Sequence, residues 1–159
     1  MSNHCDTIHF VADAMLGNIA KWLRILGRDT LFHPHKSTRE NIETAKNENR
    51  CLLTRNRRVK EWWRDGHYIL LSHQHLNECI LEIHRKTPIL TQVSLFSRCL
   101  LCNTPVEPAS KEQAVSYVPA HIGEIHEKFL YCPICSKYYW QGSHTRRVEE
   151  KVREWEKRV

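Results

Sequence analysis

Ile8-His-Phe-Val-Ala-Asp13-Ala-Met-Leu-Gly17-Asn-Ile-Ala-Lys-Trp22-Leu-Arg-Ile-Leu-Gly27 is the stretch that decides the fold. Residues 8–12 form a short apolar run, read as a strand that delivers Asp13 at its end. Behind it Met15, Leu16, Ile19, Trp22, Leu23 and Leu26 recur at helical spacing, and Gly27 stands where a helix C-cap belongs. If this strand–helix pair repeats, the protein is an α/β protein.

The pair does repeat. Residues 30–32 read as a second strand, and Ser37 or Thr38 can cap a helix over 39–47, with Glu40 and Glu43 in its early turns. Residues 51–54 read as a third strand and 56–64 as a helix with Val59, Trp62 and Trp63 inward. After an Asp65-Gly66 turn, residues 68–72 read as a fourth strand, and Leu76, Cys79, Ile80 and Ile83 mark the face of a fourth helix. This alternation predicts a mostly parallel sheet with helices on both faces.

Thr87-Pro88 ends the pattern, and residues 96–144 are Cys-rich with short strand-like pieces and four prolines. Val148, Val152, Trp155 and Val159 then form one helical stripe, with Glu149–Arg153 and Glu154–Arg158 one turn apart. Three segments are expected: an α/β domain over 1–95, a four-cysteine module over 96–144, and an amphipathic C-terminal helix over 145–159.

The chain has 159 residues, 41% hydrophobic and 26% charged, which is a globular and not a disordered composition. No apolar run approaches the ~18 residues of a membrane span, and residues 1–13 lack the plan of a signal peptide, so the cytoplasm is the expected compartment. In that reducing compartment cysteine spacing reads as metal ligation before disulfides. Cys99-x-x-Cys102 and Cys132-x-x-Cys135, separated by 29 residues, are two thiolate knuckles that can close a tetrahedron around zinc. With no open position, such an ion supports folding and not catalysis. Cys5, Cys51 and Cys79 lack this spacing, and the last two fall on apolar faces as small core residues.

The net charge of +6 permits a polyanionic partner. Arg55, Arg57, Arg58 and Lys60 are the densest basic cluster, with Trp62 and Trp63 beside them as stacking surfaces or as core. They follow the third strand, and in an open α/β sheet the functional crevice lies beyond the carboxyl ends of the strands, where Asp13 also falls. A carboxylate there can hold a magnesium ion or cap the following helix.

Asp13-Ala-Met-Leu-Gly17, Trp22-Leu-Arg-Ile-Leu-Gly27, Leu52-Leu-Thr-Arg55, Arg98-Cys-x-x-Cys-Asn103 and Tyr139-Trp-x-Gly-Ser-His144 together resemble the Mut-seven C-terminal RNase family, a PIN-like domain joined to a zinc ribbon. The resemblance covers residues 10–144. It implies a PIN-like sheet and a metal-dependent ribonuclease using Mg2+ or Mn2+, with acidic residues gathered at the strand ends. Asp13 matches the first acidic position and Glu40 the second. Where the family has Thr-Arg-Asp this chain has Thr54-Arg55-Asn56, and Asn56 offers a carbonyl oxygen without the charge. An RNA-acting protein, a metal-dependent ribonuclease of PIN-like type with weakened catalysis, is therefore expected. The alternatives are a non-catalytic RNA-binding or ribosome-associated module, and an adaptor that meets a protein partner through the ribbon or the C-terminal helix.

Overall fold

The structure, a computed structural model, describes residues 8–159; Cys5 lies outside the described residues. The first half runs β1 (Phe10–Ala12), α1 (Gly17–Ile25), β2 (Thr30–Phe32), α2 (Thr38–Asn47), β3 (Cys51–Thr54), α3 (Val59–Trp62), β4 (Tyr68–Leu70) and α4 (Leu76–Lys86). The four strands pair in parallel in the order β2-β1-β3-β4. Because strand side chains alternate, Phe10, Ala12, Cys51 and Leu53 face one side, where they join a buried cluster with Leu23 of α1 and Ile80 and Ile83 of α4. Val11 and Leu52 face the other side and meet Ile42 and Ala45 of α2 and Val59 of α3. The expected α/β sheet covered on both faces is present.

Gly27 ends α1 with φ +82, a conformation open to glycine at little cost. Arg28 N–H reaches the Leu23 carbonyl and Gly27 N–H that of Arg24, which closes the helix as a Schellman turn. A side chain here would also strike the Ser94 carbonyl, 2.6 Å from the place of a Cβ.

Two local expectations change. Helix α3 is a single turn and not a helix over 56–64, because Asn56 Oδ1 accepts the Arg58 N–H and holds the chain in a side-chain turn first. Asp13 does not cap α1: a 3-10 turn at Ala14–Leu16 intervenes, closed by Leu16 N–H on the Asp13 carbonyl.

The second half runs β5 (Glu107–Ser110), α5 (Lys111–Ala114), α6 (Ala120–Ile125), β6 (Lys128–Cys132), β7 (Lys137–Tyr139) and α7 (Ser143–Glu156). Strands β5-β6-β7 form an antiparallel sheet. The two short helices were not foreseen, although Ser110 and Gln113 form a capping box at α5. Helix α7 returns to the first sheet. Val152 and Trp155 are buried in the same cluster as Phe10 and Leu23, and the Trp155 ring stands edge-on to Trp22 at 5.0 Å. Val159 is not part of that stripe: the helix ends at Glu156 and Val159 is exposed. No helix among the described residues is long and apolar enough to cross a membrane.

Candidate active site and metal centre

Asp13 leaves β1 at the carboxyl edge of the sheet and is buried there. Its carboxylate is held by three neighbours. Asn41 Nδ2 donates to Oδ1 at 2.8 Å, Thr38 Oγ1 donates to Oδ2 at 2.9 Å, and Thr54 Oγ1 makes a short bond to the same oxygen. Thr38 and Asn41 are three apart on α2 and so share the helix face turned to β1. Thr54 is the last residue of β3.

Asn56 joins this group. Its Nδ2 donates to Thr38 Oγ1 at 3.1 Å, so Thr38 bridges Asn56 and Asp13. Asn41 Oδ1 is buried and has no hydrogen-bond partner among the described residues. Such an orphaned acceptor costs about 1–3 kcal/mol unless a water or a cation meets it.

Glu40, expected beside Asp13, is instead engaged at the start of α2. Its Oε2 accepts from the Ser37 N–H at 2.8 Å and the Ser37 hydroxyl at 2.7 Å, while Ser37 Oγ accepts the Glu40 N–H. Those bonds from Ser37 hold the Glu40 carboxyl below the ordinary glutamate range. The side chain is exposed and caps the helix.

The basic cluster is divided. Arg55 donates to the carbonyls of His73 and Gln74, both at 3.2 Å, and lies 3.5 Å from Cys79 Sγ, so it ties the end of β3 to the loop after β4. Arg57 and Lys60 are exposed. Arg58 stacks on the Trp62 ring at 4.7 Å, and Arg39 lies on that ring at 4.5 Å. Trp62 and Trp63 are half-buried against the α2-side core.

Thr38, Asn41 and Thr54 were missed. The signal available was positional: Asn41 interrupts the apolar face of α2, and Thr54 ends a fully buried strand.

The four cysteines Cys99, Cys102, Cys132 and Cys135 meet, with their sulfurs all within 4.8 Å of one another. Cys99 and Cys135 are 3.8 Å apart and Cys102 and Cys132 3.4 Å. A zinc tetrahedron with Zn–S near 2.3 Å has edges of about 3.8 Å, so the set can hold a metal such as zinc. The Tyr139 hydroxyl lies 3.1 Å from Cys99 Sγ, and Cys135 N–H points at Cys132 Sγ. Burial opposes ionisation of Cys102, but hydrogen bonding by Thr104 and its neighbouring thiols pulls it down to about 6. Cys135 is pushed up to about 12, chiefly by its bond with Cys102. Thiolates this close repel one another, and a bound cation would balance their charge. Asn103 and Ser136, each following the second cysteine of a knuckle, adopt positive φ.

A parallel α/β sheet with a carboxylate at its carboxyl edge, joined to four clustered cysteines that can hold a metal, is the class of protein these features define. The chain belongs to the Mut7-C RNAse domain family, whose model matches residues 8–152. Comparison with the curated proteins and with the solved structures gave no match.

Proposed function

We propose that the protein is a metal-dependent ribonuclease acting at Asp13, with zinc in the four-cysteine centre as a structural ion. The observation that carries this reading is the pairing of the buried Asp13 carboxylate with the orphaned Asn41 oxygen at the carboxyl edge of the sheet. These are hard oxygen donors, and Asn56 is the second amide of the group, joined to Asp13 through Thr38. Magnesium is commonly held by one or two carboxylates, waters and substrate phosphate, so the donor set fits weak binding completed by RNA.

A bound Mg2+ or Mn2+ would polarise the phosphodiester and activate a water for attack on it. Asp13 is the one charged group for that ion, oriented by Thr38 and Thr54. Arg57, Arg58 and Lys60, on the turn beyond Asn56, are placed to neutralise the RNA backbone. Arg55 holds that turn to the rest of the sheet. The expected compartment stays the cytoplasm, where the four thiols are kept reduced for zinc.

One observation favours the second reading, a non-catalytic RNA-binding or ribosome-associated module. Both Asp13 oxygens are already satisfied by neutral donors, and Asn56 adds no charge. Labelled RNA incubated across a magnesium and a manganese series separates the two. Cleavage that needs the metal and vanishes in Asp13→Ala supports the nuclease; RNA binding without cleavage at any metal concentration supports the module.

A further inference from the structure

A cleft of about 980 Å3 lies between α1, α7 and the four-cysteine module. Its walls are largely aromatic and apolar: Trp22 and Ile25 of α1, Phe96, Tyr139, Trp140, and Val148 of α7. Five cations stand among them: Arg98 is paired with Asp29 at 3.5 Å, whereas Lys21, Lys128, Arg147 and Lys151 form no ion pair with a carboxylate among the described residues. Lys151 sits over the Trp22 and Trp155 rings. The one carboxylate in the lining, Glu127, is already bound by Lys111 at 2.7 Å. The cleft therefore presents uncompensated positive charge beside half-buried aromatic rings.

We infer that this cleft holds an unpaired stretch of single-stranded RNA, with bases on the aromatic wall and phosphates on the four unpaired cations. The inference rests on the ribonuclease reading above and extends it by naming where the strand runs away from Asp13. Three features select the occupant. Rings and unpaired cations side by side suit a chain with a π-face and a negative charge at every residue. A duplex would bury its bases and leave the apolar wall unmatched. The cleft also lies close to the site along the chain: Asn18 in its lining is on the first turn of α1, directly after the turn that begins at Asp13.

The test uses the full chain and a labelled single-stranded oligoribonucleotide, with binding read by anisotropy without added divalent ion. Trp140→Ala should weaken binding roughly fivefold or more, and Trp140→Phe should keep most of it. Lys21→Gln, Lys128→Gln and Arg147→Gln together should weaken binding and reduce the salt slope by roughly two. Zinc content and melting temperature check that each variant is folded. On the wild-type chain, 4-thiouridine in the RNA should crosslink to peptides carrying Trp22 or Trp140, a readout that needs no variant. Unchanged affinity and slope in these variants, with loss only in Arg57→Gln/Arg58→Gln, would overturn the cleft and leave the ribonuclease reading standing. Binding of poly-glutamate in the cleft in place of RNA would overturn it in favour of an acidic protein ligand. Binding in the cleft by a chain that never cleaves RNA would support the cleft while removing the nuclease.

Discussion

Asn103 closes the open edge of the first sheet at Thr30: its Oδ1 accepts the outward Thr30 N–H at 2.9 Å. The Thr30 carbonyl on the same edge accepts from Arg24 Nε at 2.9 Å. Both side chains belong to the metal centre's surroundings. Asn103 directly follows Cys102, and Arg24 Nη1 also donates to the carbonyls of Leu100 and Leu101, the two residues between Cys99 and Cys102. The first knuckle is thus bonded to an edge strand that sequence places far from it, and it covers the edge that would otherwise be free to pair.

Metal loss should therefore be felt in both halves. The sequence leads one to expect that Cys99→Ser or Cys132→Ser unfolds residues 96–144 and largely spares the α/β half. The docking of Asn103 and Arg24, with α7 in the first core, points to one shared transition. The purified protein should hold about one zinc per chain. Stripping it should lower the melting temperature of the whole protein and speed amide exchange at Thr30. Two separate melts, with the first sheet unchanged, would count against this coupling.

Acid should attack the same junction. Burial opposes ionisation of Asp29, but Arg50 at 2.5 Å and Asn103 outweigh it, and the carboxyl lies below its ordinary 3.8. The folded value is below the unfolded one, so the stabilisation is complete above about pH 4 and is lost as pH falls through 3.8 and beyond. Asp29→Asn should cost about 1–3 kcal/mol at neutral pH. Its stability curve should converge on that of wild type at low pH. Denaturant melts across pH 2–7 (roughly the carboxylate range) check this, and a gap that persists at the acid end would refute it.

Trp155 tests the return of the last helix. It is 1% exposed, and its Nε1 donates to Asn77 Oδ1 at 3.1 Å. Trp155→Ala should cost about 3–5 kcal/mol, measured by urea unfolding, because it opens a cavity in the main core. Val159→Ala, beyond the helix end, should change stability by no more than about 0.5 kcal/mol.

The legible and illegible parts divide by range. The β1–α1 pair was readable because its apolar periods and Gly27 are local. The cysteine knuckles were readable because the ligand spacing is itself the signal. The amphipathic stripe of α7 was visible, but not that it packs beside Phe10, since nothing local ties Trp155 to β1. Glu40 was misplaced although Ser37-x-x-Glu40 has capping-box spacing, a nearer use for the carboxylate than a metal. Thr38 was legible only as a possible helix cap and Asn41 not at all, because an amide and a hydroxyl on a helix carry no signature until the strand end they face is known.

The ribonuclease reading is tested most directly at Asn56. At present Thr38 Oγ1 donates to Asp13 and accepts from Asn56 Nδ2, so a single hydroxyl proton satisfies the chain of bonds. Asn56→Asp removes the donor and sets a second carboxylate on the other side of Thr38, which cannot donate to both. Without metal, the two like charges repel, so the variant should be less stable than wild type near neutral pH, by about 1 kcal/mol. A divalent cation between them relieves the repulsion. The variant should therefore gain stability on adding magnesium or manganese where wild type gains little, and the gain should follow ligand-linked mass action. RNA cleavage should rise in step with metal affinity, and Asp13→Ala in that background should abolish both. Calorimetric metal titration, thermal melts with and without the ion, and cleavage of labelled RNA on matched preparations read the three effects. If Asn56→Asp binds the ion tightly yet cleaves no faster, Asp13 and position 56 form a cation site that is not the place of the chemistry. If it neither binds nor cleaves better while wild type cleaves efficiently, Asp13 is not the centre of the active site.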